Sequence, residues 1–373
     1  MNIAIDLRSL SGGYISGVEN YTLNLLDHLL AMDKKNHYIL FYNAWHENVM
    51  GDFHYINSKV KKTSIPNKIL NLGLKFKLLS LEKLIGPFDC LFMPNLNQFN
   101  ISPNAKLALT VHDLSPIVTP EFYDLKRKLW HKFLNYKGAF ARANIIFAVS
   151  EYTKTDLVRL FQVEEKKIKV VYPGIDQKHF KSDINPIKLR EIRNVYGLPG
   201  NYILFLNTIE PRKNLVNLIK AFDLISNDIN LVIAGKPGWK YKSIFKQVQK
   251  SRKFSKIKYI GYIEEADKPA IIAMSKALVY PSFYEGFGFQ PLEAAACGVP
   301  AIVSQVSALP EILGDSALLV NPHDVNRLAA GIDAILSNEA LSKKLVEKAK
   351  EKVKQFNWQN TAEKILAGLN NLT

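Results

Sequence analysis

The sequence predicts an α/β protein built from two doubly wound parallel sheets that face each other across a cleft. Three observations carry that expectation. The chain has 373 residues, more than one ordinary hydrophobic core serves, so two domains are expected. Short apolar runs alternate with stretches of helical spacing, the pattern of parallel strands covered by helices on both faces. The alternation then starts afresh after PGIDQKHFKSDINP, 173–186, which is rich in Pro, Gly, Asp and Asn and has little periodicity.

The elements follow in order. NIAIDL at 2–7 reads as a strand, NYTLNLLDHLLAM at 20–32 as an amphipathic helix, and HYILFYN at 37–43 as a strand. CLFMP at 90–94, KLALTVHD at 106–113 and NIIFAVS at 144–150 read as further buried strands, with helical stretches between them, notably 124–142. In the second half, NYILFLN at 201–207, INLVIAG at 229–235, KIKYIGY at 256–262, ALVYPS at 277–282 and PAIVS at 300–304 are expected strands. LVNLIKAFDLI is a helix; helical signals resume after Asn338, and NWQNTAEKILAGL forms a separate short helix. In such sheets ligands bind at the strand C-termini.

Composition narrows the function. Lys and Arg number 49 against 34 Asp and Glu, a net charge of +15. A basic surface favours phosphates, acidic lipid or nucleic acid. No zinc spacing, helix-turn-helix or RNA-recognition motif accompanies the charge, so no nucleic-acid partner is expected. Polyanionic lipid or a phosphorylated substrate is the better reading. No stretch approaches the ~18 apolar residues of a membrane span. Charges within the first eight residues make the N-terminus a buried strand rather than a signal peptide. Cys90 and Cys297 form no disulfide framework, and the expected compartment is the cytoplasm.

Four stretches carry candidate chemistry. FYEGFGFQPLEAAACGVP, 283–300, follows a strand and sets Glu285 and Glu293 on either side of a Gly-Phe-Gly turn before a small-residue helix. Gly286 and Gly288 let backbone approach a ligand. A helix N-terminus offers unpaired N–H groups to a phosphate. Glu285 can reach a sugar hydroxyl, and Glu293, expected in the first turn, a ribose diol; alone, Glu293 also reads as an acid favoured by the helix dipole. LNTIEPRKNL, 206–215, places Arg212 and Lys213 just before a helix, where cations are disfavoured and an anion would resolve the conflict. They can hold a diphosphate and stabilise it as it leaves. No Asp-x-Asp pair exists to carry a metal-bound diphosphate, so these cations can replace the metal. SLSGGYISGVENYT, 9–22, is a loop whose Gly17 allows close approach. TVHDLSP, 110–116, puts His112 at a strand end, where a structural role is the plain alternative.

These motifs together resemble retaining glycosyltransferases of family 4, with the GT-B fold, over essentially the whole chain. The marks are EGFGFQPLE (285–293), TIEPRKN (208–214), ACGVPAIVS (296–304), ALPEILGDSALLV (308–320), HDLSPIVTPEFY (112–123), VSEYTKTDL (149–157) and FNWQNTA (356–362). The resemblance implies an N-terminal Rossmann-like acceptor domain over 1–177 and a Rossmann-like nucleotide-sugar donor domain over 178–355. It also implies a terminal helix, 356–373, packing back on the first domain. It implies that Glu285 contacts the donor sugar, and that Phe287, Gly288 and Phe289 offer backbone N–H groups. Glu293 would bind the ribose, Arg212 and Lys213 the diphosphate, His112 the sugar near the reacting carbon. Gly17 would lie beside the phosphates and the base against Gly261 and Tyr262. No metal or other cofactor is implied.

Two departures stand out. Asn207-Thr208 occupies a place where many members have Gly-Arg, and Gly17-Val18-Glu19-Asn20-Tyr21 replaces the common glycine-rich wording. The TIEPRKN form is similar to that of members using GDP-mannose, which points to mannosyl transfer from GDP-mannose or another nucleotide sugar. The implied acceptor is a saccharide or one carried on polyprenyl diphosphate. The lysine- and leucine-bearing segments 67–86 and 124–137 add an anionic membrane surface as a partner, with an ordinary core helix as the alternative for 67–86. Other readings stay open: a GT-B-type nucleotide-sugar epimerase, or a non-catalytic sugar-nucleotide-binding partner. A glycosidase fits less well, because Glu285 and Glu293 come from one local segment.

Overall fold

The computed structural model describes residues 1–12, 15–45 and 55–372. Thirteen strands are present among them: β1 Asn2–Asp6, β2 His37–Asn43, β3 Ser58–Thr63, β4 Cys90–Met93, β5 Lys106–Val111, β6 Ile145–Ala148, β7 Ile168–Val170, β8 Tyr202–Leu206, β9 Asn230–Ala234, β10 Ile257–Gly261, β11 Ala277–Tyr280, β12 Ala301–Ser304 and β13 Leu318–Val320. They form two sheets, ordered β3-β2-β1-β4-β5-β6-β7 and β10-β9-β8-β11-β12-β13. Every pairing is parallel. The central strands are apolar throughout because helices cover both faces; β8, YILFL, is buried at every position.

The chain divides into two compact units, one of residues 1–114, 129–174 and 357–373, the other of 115–128 and 175–356. The segment 115–128 therefore counts with the second unit although it lies within 1–177. Its rings explain why: Phe122 stacks on Phe283 at 5.0 Å, and Tyr123 on Trp239 at 5.0 Å. The helix Trp358–Asn370 crosses back to the first unit and packs along Gly17–Met32. Its Thr361 hydroxyl donates to the Tyr172 carbonyl at 2.8 Å. In the second unit, Phe205, Ile233 and Val279 of the sheet meet Leu218, Phe222 and Ile332 from flanking helices, all essentially inaccessible to solvent. Each such side chain contributes ~1.5–3 kcal/mol by leaving water.

The structure differs from the sequence reading in places with physical causes. β3, SKVKKT, is an edge strand whose lysines face solvent; it lacks the apolar alternation that marks a strand, and edge lysines discourage further pairing. Helical structure returns well before Asn338, first at Leu309–Leu313 and then at Val325–Ser337, which Asp324 caps by accepting the Arg327 N–H at 2.9 Å. The helical stretch 124–142 breaks at Asn135, which adopts φ 53°, into Leu125–Leu134 and Tyr136–Arg142.

Candidate functional site

In a doubly wound sheet the strand order reverses at one point, and the two loops leaving there diverge to leave a crevice. In the second sheet that point lies between β8 and β11. The loop from β8 runs through Asn207 into the short turn Pro211–Lys213, then through Asn214 at φ 60° into the helix Leu215–Phe222. Proline at the first position of the turn fixes its φ and needs no N–H partner. The loop from β11 carries Phe283 to Gly288. Asn214 rivets the two by donating to the carbonyls of Pro281 and Pro322 at 2.9 and 2.8 Å. The Phe283 N–H donates to the Arg212 carbonyl at 2.9 Å.

This brings Arg212, Lys213 and Glu285 into one buried cluster. Lys213 Nζ donates to Glu285 Oε1 at 2.6 Å, and Arg212 Nη1 to Glu285 Oε2 at 3.2 Å. Arg212 also donates to the Tyr284 carbonyl at 2.7 Å and pairs with Glu210 at 2.9 Å. Burial alone would raise the Glu285 carboxyl, but the charges of Lys213 and then Arg212 outweigh it and hold it at about 2. Burial, and then the neighbouring Arg212 charge, push the Lys213 ammonium down. The anions that settle the misplaced cations are thus Glu285 and Glu210 of the chain itself. The sequence reading, which asked for a ligand anion, missed that internal pairing.

Glu293 lies elsewhere in the same unit. It sits in the second turn of the helix Phe289–Ala296, not the first. Its partner is Lys268, whose Nζ donates to Glu293 Oε1 at 2.8 Å and lies 3.4 Å from Glu265. The Phe180 ring lies 5.3 Å from the same ammonium. Lys268 had no motif to reveal it: it opens the unremarkable helix Lys268–Ala273. Glu293 Oε2 is buried and has no hydrogen-bond partner among the described residues. An orphan of that kind costs ~1–3 kcal/mol, which a ligand donor would recover. Burial raises the Glu293 carboxyl to about 7, with Lys268 opposing. A carboxyl raised above its ordinary 4.5 keeps a proton in the folded state that the unfolded chain has lost, so its contribution to stability falls as pH rises from 4.5 through 7. The melting temperature of wild type relative to Glu293→Gln is expected to drop over that window. A gap that widens instead would contradict the assignment.

The glycine turn has an internal reason as well as room for a ligand. Gly288 has φ 97°, and a Cβ there would come within 2.7 Å of the Leu309 side chain. Phe287 packs edge-on against Phe289 and Phe356 at 5.2 and 5.5 Å. The N–H groups of Phe287 and Gly288 have no acceptor among the described residues. Gly261 ends β10 at φ 77°, its carbonyl accepts the Gly235 N–H at 2.7 Å, and Tyr262 is 36% exposed.

His112 and Gly17 belong to the first unit. His112 follows β5, and its Nε2 lies 2.8 Å from the Pro94 carbonyl just beyond β4, next to that sheet's reversal between β1 and β4. With Nε2–H donating, Nδ1 is left as an acceptor. The Tyr21 ring meets the imidazole edge at 4.7 Å. Burial lowers the His112 pKa below 6.5, with the Pro94 carbonyl partly offsetting it, so the ring is neutral at pH 7. Gly17 is not in a loop: it is the first residue of the helix Gly17–Met32, after Ser16, whose N–H donates to Glu19 at 2.9 Å. Gly13 and Tyr14 of the same stretch lie outside the described residues.

Residues 15–179 match the family model described as Glycosyltransferase Family 4, and residues 190–352 match Glycosyl transferases group 1. O-antigen chain mannosyltransferase B of Escherichia coli is 30% identical over 256 residues, which cover 67% of this chain and 66% of that protein. The chain spans at most two thirds of the length of the first curated relatives it matches. Sucrose-phosphate synthase from Thermosynechococcus elongatus superposes with a TM-score of 0.77 at 21% identity, covering 100% of this chain and 98% of that one. HepE from Anabaena, solved with UDP and glucose, gives a TM-score of 0.75 at 18% identity over 100% of both chains. With both family models matched in order along two parallel, doubly wound units of the GT-B type, the chain belongs to glycosyltransferase family 4.

Proposed function

We propose that the protein is a retaining, metal-independent glycosyltransferase that moves a hexosyl group, mannosyl in preference, from GDP-mannose or another nucleotide sugar. The acceptor is a saccharide or lipid-linked saccharide of cell-surface polysaccharide synthesis, met at the cytoplasmic side of the membrane. The observation that carries the reading is the buried Arg212–Lys213–Glu285 cluster at the reversal point of the second sheet. Relatives named as mannosyltransferases support the choice of sugar.

Each residue then has a task. Arg212 and Lys213 meet the diphosphate and stabilise the charge that grows as it departs. Glu285, kept ionised by those cations, fixes them and accepts from donor-sugar hydroxyls. Glu293 Oε2, the orphaned atom, accepts from a ribose hydroxyl. The N–H groups of Phe287, Gly288 and Phe289 meet sugar and phosphate oxygens, Gly17 flanks the phosphates, and the base lies on Gly261 and Tyr262. His112, neutral, contacts the sugar near the reacting carbon.

Calorimetric binding of GDP, UDP and ADP, with and without EDTA, tests this. GDP is expected to bind most tightly and EDTA to change nothing. Preference for UDP or ADP would discard mannose, and no nucleotide binding would remove the donor site. Glu293→Ala is expected to raise the donor KM by ~1–3 kcal/mol with kcat little changed; a fall in kcat alone would refute the ribose role. Product analysis without acceptor separates an epimerase, which would convert the sugar nucleotide by itself.

A further inference from the structure

The first unit carries a face that its own fold leaves uncovered. The helix Asn67–Lys75 exposes Ile69 and Leu72, and the chain just beyond exposes Phe76 and Leu78, at 59, 47, 64 and 76%. Positions 69, 72 and 76 have the spacing of one helical face, while Leu70 and Leu74 point into the core. The helix Leu125–Leu134 exposes Leu129 and Trp130, at 59 and 38%. The two patches are joined. Lys75 Nζ donates to the Phe133 carbonyl at 2.9 Å and lies 3.7 Å from the centre of its ring. Phe133 in turn stacks on Trp130 at 5.6 Å. Single exposed apolar side chains are ordinary; a joined group is an interaction surface.

The charge around this face names the occupant. Lys68, Lys77, Lys83, Lys132 and Lys137, within or close in sequence to the same segments, are exposed. Glu82 is the sole acid within 67–85 and 129–137, and its Oε1 already accepts the Ser102 N–H at 2.6 Å. Leucine and aromatic side chains with a rim of lysines and almost no acid match an anionic bilayer. The apolar groups enter the acyl boundary, and the lysine stems reach out to lipid phosphates. Among the described residues no helix is long and apolar enough to cross a membrane, so attachment of this kind would be from one side.

We propose that the face formed by Ile69, Leu72, Phe76, Leu78, Leu129 and Trp130 docks on an anionic membrane surface. The proposal stands apart from the donor chemistry, and its test uses no sugar nucleotide. The full chain would be sedimented with vesicles of phosphatidylcholine alone and mixed with phosphatidylglycerol. Binding to the mixed vesicles, weak on the neutral ones and reduced by salt, is expected. The double variant Phe76→Ser, Leu78→Ser alters only exposed side chains and should bind at least about tenfold more weakly. Lys77→Glu with Lys132→Glu should erase the preference for anionic lipid. Both variants should keep wild-type melting and nucleotide binding, which separates a lost surface from a lost fold. Equal sedimentation with both vesicle types, sedimentation with neither, or unaltered binding by the Phe76, Leu78 variant overturns the proposal. Concentration-dependent self-association through these residues without vesicles would assign the face to a second copy and overturn it as well.

Discussion

Lys213→Ala is expected to lower kcat/KM by ~2–4 kcal/mol, roughly 30- to 1000-fold, because a departing diphosphate loses a cation in a site from which water is largely excluded. The structure adds a second effect. Lys213 is the nearest cation to Glu285, at 2.6 Å, and its removal leaves a buried carboxylate with Arg212, at 3.2 Å, as its remaining paired cation. Breaking one side of a buried pair is strongly destabilising. Glu285 is held at about 2 against an ordinary 4.5, so its contribution to stability is complete above 4.5 and is lost as pH falls toward 2. Without Lys213 that window moves upward, and the variant should unfold in acid at a higher pH than wild type. Steady-state kinetics at pH 7 and acid titration of the melting temperature check the two effects separately. Unchanged kcat/KM would remove the diphosphate role; an unmoved acid midpoint would remove the pairing.

Gly235→Ala should cost about 3 kcal/mol or more of stability. Gly235 follows β9 at φ 134°, and a Cβ on it would stand 1.8 Å from the Asn207 carbonyl oxygen. Its own N–H is committed to Gly261 at 2.7 Å, and the Asn207 N–H to Ala234 at 3.0 Å. An alanine must therefore push apart the C-terminal ends of β8 and β9, where the TIEPRKN segment begins. Gly261→Ala is the control: φ is 77°, but its Cβ would meet nothing within 4 Å. It should show only the ~1–2 kcal/mol of a strained left-handed residue. Chemical denaturation of the two variants decides the point, and equal losses would show that backbone strain, not the contact, is responsible.

Much of this protein was legible without coordinates. The buried strands were, because a parallel sheet covered on both faces demands unbroken apolar runs such as YILFL and NLVIA, which few other structures tolerate. The positions of Arg212, Lys213 and Glu285 were also legible, because each follows a strand that the alternation marks, and strand C-termini converge at a sheet's reversal. What tertiary structure alone decided were relations between residues distant in sequence. Glu285 pairs with Lys213 across 72 residues and with Arg212 across 73, which no local pattern encodes; only Glu210, two residues before Arg212, is a local partner. Lys268 meets Glu293 across 25 residues, so the carboxylate read as a ribose contact has an internal cation from another helix that opposes the effect of its burial. Segment 115–128 joins the second unit through aromatic stacking on Phe283 and Trp239, not through its place in the chain. Periodicity reports what each segment hides from water. Which charges end up facing one another depends on how the hidden faces pack, and that follows only from the folded whole.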